Sequence, residues 1–197
     1  MTIEIDKLPV ECREGETIIE AARRAEIAIP SLCYSKDAEH RSSCMVCVVK
    51  NADTGQMLPS CTTVAVQGMR LESNSEAVFA MRKASLELLL SDHYATCGTC
   101  ASKNACTLRK HMITYKASFR RYTKGQQPPA DFSPIAVGKN ILFEPAKCIK
   151  CGLCVYNSKD GFTFTGRGFD MRVAPPVREG NWEKLVELCP CGALTKV

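Results

Sequence analysis

The chain opens with a strand-like pattern that changes to a helical one. Residues 2–12 alternate apolar and polar side chains on either side of Asp6-Lys7, which predicts a β-hairpin. Apolar residues then recur at helical spacing from Ile18 to Ala25. Pro30 is expected to stop this segment, because proline cannot continue a helix.

Strand-like patterns return after the predicted helix. Residues 45–49 and 57–66 are rich in apolar and β-branched side chains, and the turn residues 53–55 separate them. The order of two strands, one helix and two strands predicts a small β-grasp sheet over residues 1–74. Cysteines would lie in its loops.

Residues 75–122 have a helical pattern. Apolar residues from Val78 to Leu90 fill one face of a predicted helix, and a second helix is predicted from Asn104 to Tyr115. The side chains expected outside the apolar face of the first helix are charged: Arg82, Lys83 and Glu87. Between the two helices we expect a tight loop.

A linker and a smaller unit complete the chain. Glycines and prolines mark residues 123–138 as a linker. In residues 139–197 we predict strands at 141–143, 162–169 and 171–174, and a helix from Asn181 to Cys189. The predicted fold class is therefore α+β, with a β-grasp domain, a helical domain and a C-terminal domain.

Thirteen cysteines in 197 residues change this picture. The N-terminus lacks the basic and apolar regions of a secretion signal, so we expect a cytoplasmic protein with reduced thiols. The odd count also argues against complete disulfide pairing. No apolar stretch has membrane-spanning length, so the chain is predicted to be soluble.

The cysteines and one histidine fall into three groups. They are Cys33-x10-Cys44-x2-Cys47-x13-Cys61, then His93-x3-Cys97-x2-Cys100-x5-Cys106, then Cys148-x2-Cys151-x2-Cys154 with a distant Cys189. Thiolates on flexible loops are the usual ligands of iron–sulfur clusters. The alternative is a zinc-stabilised interaction module, although structural zinc sites normally use two Cys-x2-Cys pairs.

The three groups predict different clusters. The first closely resembles the [2Fe-2S] loop of ferredoxins. The third has the Cys-x2-Cys-x2-Cys run of bacterial-type [4Fe-4S] sites. Ser158 occupies the position where a two-cluster ferredoxin has its next cysteine, so we expect one cluster here, with Cys189, followed by Pro190, as its fourth ligand.

The second group has three cysteines and needs a fourth ligand for a [4Fe-4S] cluster. A single histidine is usually a surface or capping residue, but a neutral imidazole at His93 would complete this set. An imidazole in place of a thiolate removes one negative charge, which should raise the reduction potential. Two cysteines remain unassigned, Cys12 as a buried apolar residue and Cys191 close to Cys189.

The formal charge of +5 could serve nucleic-acid binding, or it could compensate the negative charge of bound clusters. Oxidised clusters with their ligands would add about −2, −1 and −2 for the three groups, which cancels that charge. We therefore expect no nucleic-acid partner.

Together these motifs resemble the N-terminal iron–sulfur module of the large cluster-bearing subunit of respiratory complex I. They are also similar to the diaphorase gamma subunit of NAD-reducing hydrogenases and formate dehydrogenases, and to the N-terminal part of [FeFe]-hydrogenases. The histidine motif is the most specific part of the resemblance. Around Cys44 the family usually has Gly-x-Cys-Arg, whereas this chain has Ser42-Ser43-Cys44-Met45.

The resemblance implies a non-catalytic electron-transfer subunit with one [2Fe-2S] and two [4Fe-4S] clusters. Its partners would be a diaphorase subunit that carries FMN and NAD and a catalytic oxidoreductase subunit. The chain itself has neither a Gly-x-Gly-x-x-Gly fingerprint nor a Walker loop. The chain ends soon after Leu194, so we expect neither the molybdopterin-type domain nor the hydrogenase domain. A free-standing ferredoxin shuttle is the other interpretation.

Overall fold

The computed structural model describes residues 1–119, 121–122, 132–178 and 180–197. The fold is mixed α and β. The strands are β1 Thr2–Ile5, β2 Leu8–Glu11, β3 Val48–Asn51, β4 Met57–Pro59, β5 Arg70–Glu72, β6 Ile135–Ala136, β7 Ile141–Phe143, β8 Thr163–Thr165, β9 Arg172–Ala174 and β10 Leu194–Lys196. The helices are α1 Ile18–Arg24, α2 Glu76–Leu90, α3 Thr107–Thr114, α4 Leu153–Tyr156 and α5 Glu183–Leu188, with short 3-10 turns at Pro145–Lys147 and Gly168–Asp170.

The N-terminal sheet has the order β2-β1-β5-β3-β4. The predicted hairpin is present as β1 and β2, and both Asp6 and Lys7 in its turn have positive φ. Strand β5 is parallel to β1 and antiparallel to β3, so it joins the two hairpins into one sheet. The sequence pattern did not predict β5, because three residues are too few to show an alternation.

The second predicted strand pair is shorter in the structure than in the sequence pattern. Strand β3 begins at Val48 rather than Met45, whose φ of 53° puts it in a turn. Strand β4 ends at Pro59, because proline has no N–H for a further ladder bond. The shortening leaves residues 44–47 and 60–61 in loops at one end of the sheet.

Helix α1 packs across the sheet as predicted. It begins after Thr17, whose side chain forms a capping box with Glu20, an arrangement that satisfies free N–H groups of the first turn. Ile18, Ile19, Ala21 and Ala22 are fully buried. They pack with strand residues in one hydrophobic core.

Helix α2 corrects the prediction that its charged residues lie outside the apolar face. Arg82 is 3% exposed and Glu87 is 2% exposed, whereas Leu88 is 58% exposed. Arg82 donates to the Val48 carbonyl at 2.7 Å and to the Tyr115 hydroxyl at 2.9 Å. These two bonds offset part of the cost of burying the charge, whereas the buried Nε of Arg82 has no hydrogen-bond partner. Arg82 therefore connects α2 to β3 and to the segment after α3.

Glu87 is the second buried charge of α2. Its carboxylate accepts hydrogen bonds from the Ser118 N–H at 3.0 Å and from Arg121 at 2.8 Å. Burial raises the pKa of Glu87, but the bonds from Ser118 and Arg121 outweigh burial and hold that pKa below its ordinary value. The carboxylate thus fixes the chain that follows α3.

The C-terminal unit contains the sheet β10-β7-β6 and the hairpin β8-β9. Most of the predicted linker, residues 123–131, lies outside the described residues. Its described end is ordered: Ile135–Ala136 pairs with β7, and Val137 is buried. Residues 135–137 of the predicted linker thus pack against the C-terminal unit, and the linker boundaries stay predictions.

One hydrophobic core joins the C-terminal unit to the rest of the chain. It combines Cys33 and Cys44 from the N-terminal loops, Leu86 and Leu90 from α2, and buried apolar residues of the C-terminal unit such as Phe143, Phe162 and Leu185. The boundaries predicted at 1–74, 75–122 and 139–197 stay predictions. In the part of the chain that the structure describes, no helix is long and apolar enough to cross a membrane.

Candidate metal centres

The four cysteines of the first group lie together at the end of the N-terminal sheet. Cys33, Cys44, Cys47 and Cys61 are all 3% exposed or less. Cys33 follows α1, the middle pair occupies the turn before β3, and Cys61 follows β4. The positive φ of Met45 turns the chain between the middle two cysteines. The Ser60 hydroxyl donates to the Cys47 carbonyl at 2.6 Å and ties the two loops together.

The sulfurs of the first group lie within hydrogen-bonding distance of one another. The Cys33 and Cys44 sulfurs are 3.3 Å apart, whereas two sulfurs on one tetrahedral metal at about 2.3 Å are about 3.8 Å apart. Hydrogen bonds with Cys44 and Cys61 lower the pKa of Cys33, and a bond with Cys61 lowers that of Cys47. The same bonds raise the pKa values of Cys44 and Cys61. Cys44 and Cys61 therefore hold protons that bound iron would displace.

His93 lies buried just after α2, at 7% exposure. Its Nδ1 is 2.9 Å from the Lys147 carbonyl oxygen, so Nδ1 carries the proton and Nε2 is free to bind a metal. Burial lowers the pKa of His93 and favours the neutral ring that a ligand must have, although the bond to Lys147 acts in the opposite direction. The ring centroids of His93 and Phe119 are 5.8 Å apart.

The three cysteines of the second group lie on the loop between α2 and α3. Cys97, Cys100 and Cys106 are all partly exposed, in contrast to the first group. The Cys106 sulfur caps α3 by accepting the Arg109 N–H at 3.4 Å. These cysteines follow His93 closely in the sequence, whereas the His93 ring contacts Lys147 and Phe119, which are distant in the sequence.

The third group lines a small enclosed cavity in the C-terminal unit. Its lining includes Cys148, Cys151, Cys154 and Cys189, together with the unassigned Cys191. Gly152 has a φ of 81°, and a Cβ there would lie 2.6 Å from the Tyr156 ring, so this turn requires glycine. Burial raises the pKa of Cys148, of Cys151 and, to about 12, of Cys154.

Cys189 differs from the other three cysteines of its group. The Cys191 thiol, 3.9 Å away, lowers the pKa of Cys189. The N–H groups of Leu194, Cys191 and Ala193 add to this effect. Several donors directed at one sulfur stabilise a thiolate. Ser158, where a further cluster would need a cysteine, is buried and accepts the Phe162 N–H at 2.8 Å.

The third group has contacts with the loops of both other groups. Beside the first group, the Ser43 hydroxyl donates to the Cys151 carbonyl at 3.3 Å. Beside the second, Lys147 accepts from His93 and Ala146 accepts the Tyr94 N–H at 2.8 Å. Nothing in the sequence indicated these contacts between the groups.

A charged cluster that the sequence did not indicate lies beside His93 and the third group. Asp92, next to His93, forms ion pairs with Lys150 and, at 3.7 Å, with Arg172. Burial lowers the pKa of Lys150, and the charge of Arg172 lowers it further. In the described ranges, no three His, Cys, Asp or Glu side chains converge as they would around a single metal ion.

Two family models match this architecture and define its class. Residues 1–76 match the 2Fe-2S iron–sulfur cluster binding domain, and residues 82–121 match the NADH-ubiquinone oxidoreductase-G iron–sulfur binding region. The chain is therefore an iron–sulfur protein with a 2Fe-2S domain and a 4Fe-4S binding region.

The chain is similar over almost its whole length to parts of larger proteins. It is 31% identical to NADP-reducing hydrogenase subunit HndD of Solidesulfovibrio fructosivorans, with 100% of this chain and 36% of the relative covered. It is 29% identical to an NADH-quinone oxidoreductase subunit of Rhizobium meliloti (strain 1021), with 98% of this chain and 23% of the relative covered. The chain thus spans about a quarter to a third of these relatives.

A solved structure has the same fold. A chain in the crystal structure of an NAD+-reducing [NiFe]-hydrogenase in the H2-reduced state matches with a TM-score of 0.86 at 26% identity. The match covers 99% of this chain and 86% of that chain. The predicted resemblance to the iron–sulfur modules of complex I and of hydrogenases is confirmed.

Proposed function

We propose that this chain is a non-catalytic electron-transfer subunit with three iron–sulfur clusters. A [2Fe-2S] cluster would use Cys33, Cys44, Cys47 and Cys61. One [4Fe-4S] cluster would use His93, Cys97, Cys100 and Cys106, and the other would use Cys148, Cys151, Cys154 and Cys189. When bound, such clusters supply one-electron oxidation and reduction.

The contacts of the third group with both other groups are the observation that supports this proposal. One hydrogen bond from Ser43 to the Cys151 carbonyl links the first and third groups. One hydrogen bond from His93 to the carbonyl that precedes Cys148 links the second and third. Short bonded paths therefore connect all three ligand sets. We propose that electrons move in the spatial order first, third and second group, or in the reverse order.

The proposed chain of centres needs a donor and an acceptor at its ends. A flavin-bearing, NADH-oxidising diaphorase subunit would hold FMN and NAD on one side. A catalytic subunit of a hydrogenase, a formate dehydrogenase or a similar enzyme would lie on the other. The names of the relatives, which are NADH-, NADP- and NAD+-linked oxidoreductases, support this assignment. A cytoplasmic location, where thiols stay reduced, is part of the proposal.

Anaerobic affinity purification from the native host tests the partners. We expect a flavoprotein to co-purify with the tagged chain and NADH to bleach the visible absorption of the complex. The partner carries no tag, so its recovery reports directly on assembly. Purification of the chain alone, with bound iron, would favour the ferredoxin shuttle, and a colourless zinc-loaded chain would favour the zinc module.

A further inference from the structure

Cys191 is a second buried thiol beside the proposed fourth ligand of the C-terminal cluster. It is 2% exposed, and its sulfur is 3.9 Å from the Cys189 sulfur. The same cavity wall contains both residues and the other three cysteines of the group. A buried cysteine normally packs as a small apolar residue, as Cys12 does among the strand residues of the N-terminal core.

The environment of the two sulfurs separates their roles. Three backbone N–H groups are directed at the Cys189 sulfur and stabilise its thiolate. Cys189 is therefore the better placed of the two to bind iron, and the Cys191 sulfur lies beside it.

The turn that carries both cysteines is fixed on its outer side. The Pro190 carbonyl accepts the Thr107 N–H at 2.9 Å, and Gly192 is packed so closely that a Cβ there would be 2.3 Å from the Ser102 hydroxyl. The turn cannot move away from the cavity without breaking these contacts. The Cys191 sulfur is thus held at the cavity even when the residue at 189 changes.

We propose that Cys191 is a reserve ligand for the C-terminal cluster. It binds the same iron when Cys189 does not. In this exchange the bond between the Cys189 sulfur and iron breaks and the Cys191 sulfur forms one in its place. The Cys191 thiol proton passes to the released Cys189 thiolate, and no electron is transferred. The two sulfurs are 3.9 Å apart, and this is the distance that the Cys191 sulfur must cover to take the same position on iron. The inference rests on the third ligand set of the proposed function.

Four versions of the full chain, purified anaerobically, test this inference. Iron and sulfide analysis and low-temperature EPR after reduction are compared for wild type, Cys189→Ala, Cys189→Ala/Cys191→Ala and Cys189→Ala/Cys12→Ala. We expect Cys189→Ala to keep all of its C-terminal cluster with an altered EPR signal. The Cys191 double variant should lose it or keep a three-iron form, and the Cys12 double variant should match Cys189→Ala.

The possible failures are distinguishable. A C-terminal cluster missing from the wild type would overturn the proposed function. A wild type with the cluster and a Cys189→Ala variant without it would overturn only the reserve role of Cys191. Equal retention in Cys189→Ala and in the Cys191 double variant would also overturn that role, because another ligand would then be responsible.

Discussion

The first and second ligand groups are held in opposite ways. The four cysteines of the first group are buried at the end of the N-terminal sheet, where they belong to or adjoin its hydrophobic cores. The three cysteines of the second group are partly exposed, and only His93 is buried. The ring of His93 is oriented by a carbonyl 54 positions later in the chain.

This difference shows how each group depends on the rest of the chain. The first group is held by strands and loops of the N-terminal sheet, and Cys47 and Cys61 belong to the core of that sheet. Cys33 and Cys44 also belong to the core that includes the C-terminal unit. The second is fixed by α2, by the segment after α3 and by the C-terminal unit. A substitution near the first group should therefore act locally, whereas the second group should respond to changes at distant contacts.

The largest expected effect is the loss of a cluster from the first group. Cys47→Ala removes one of four buried sulfurs, so the [2Fe-2S] cluster should be lost while the signals of both [4Fe-4S] clusters remain. Iron analysis should show about two irons fewer per chain. Cys12→Ala, which removes a buried cysteine outside the groups, is the control and should keep full iron content. Loss of all clusters in Cys47→Ala would contradict the local character of this group.

The next largest effect tests Arg82, which connects α2 to β3 and to the segment after α3. Arg82→Leu removes the donors to the Val48 carbonyl and the Tyr115 hydroxyl and should lower the free energy of unfolding by about 2–4 kcal/mol, since buried acceptors are left unpaired. Denaturant titration of the anaerobic protein measures this change. Lys110→Leu, on the exposed side of α3, should change it by less than about 0.5 kcal/mol. Equal effects for the two variants would show that Arg82 is not structurally important.

A third prediction tests His93 as a ligand. His93→Cys should keep an assembled cluster but lower its reduction potential, because a thiolate adds negative charge. We expect a shift of at least about 60 mV, which is a tenfold change for one electron. EPR-monitored redox titration measures it, with His111→Gln on α3 as the control. An unchanged potential in His93→Cys would count against ligation by this residue.

The smallest effect concerns the segment that covers His93. Glu87→Gln keeps the shape of the side chain but removes its charge, so the bonds from Ser118 and Arg121 weaken and stability falls by about 1 kcal/mol. The pKa of Glu87 is lower in the folded chain than in the unfolded chain, so its contribution to stability is complete above the unfolded pKa. That contribution is lost only as pH falls through the folded pKa. The difference should thus be constant from about pH 5 to pH 8. Unfolding at several pH values measures it, and a difference that vanishes at about pH 6 would contradict the assignment.

The sequence predicted the local elements better than their arrangement. Residue spacing was sufficient for the first hairpin, for α1 and for the helix from Glu76 to Leu90. It failed for β5, which depends on pairing with distant strands. It also failed for Arg82, which the apolar periodicity of α2 puts outside the buried face although the side chain is buried. The three groups of cysteines were visible as spacings, because cysteines are rare and their separations are specific, and their role as ligands stays a prediction.

Sequence patterns could not predict the contacts between the groups. The bond from Ser43 to Cys151 spans 108 positions, and no local propensity encodes it. Likewise, Lys147 orients His93 through its backbone carbonyl, so its side-chain identity gives no signal.

The direct test of the central claim is a count of clusters in the anaerobically purified wild-type chain. Iron, sulfide and zinc analysis should give about ten irons, about ten sulfides and no stoichiometric zinc per chain. Low-temperature EPR on stepwise reduction should resolve one [2Fe-2S] and two [4Fe-4S] signals. A chain that contains zinc in place of iron, or that shows fewer than three signals with about eight irons or fewer, would contradict the claim.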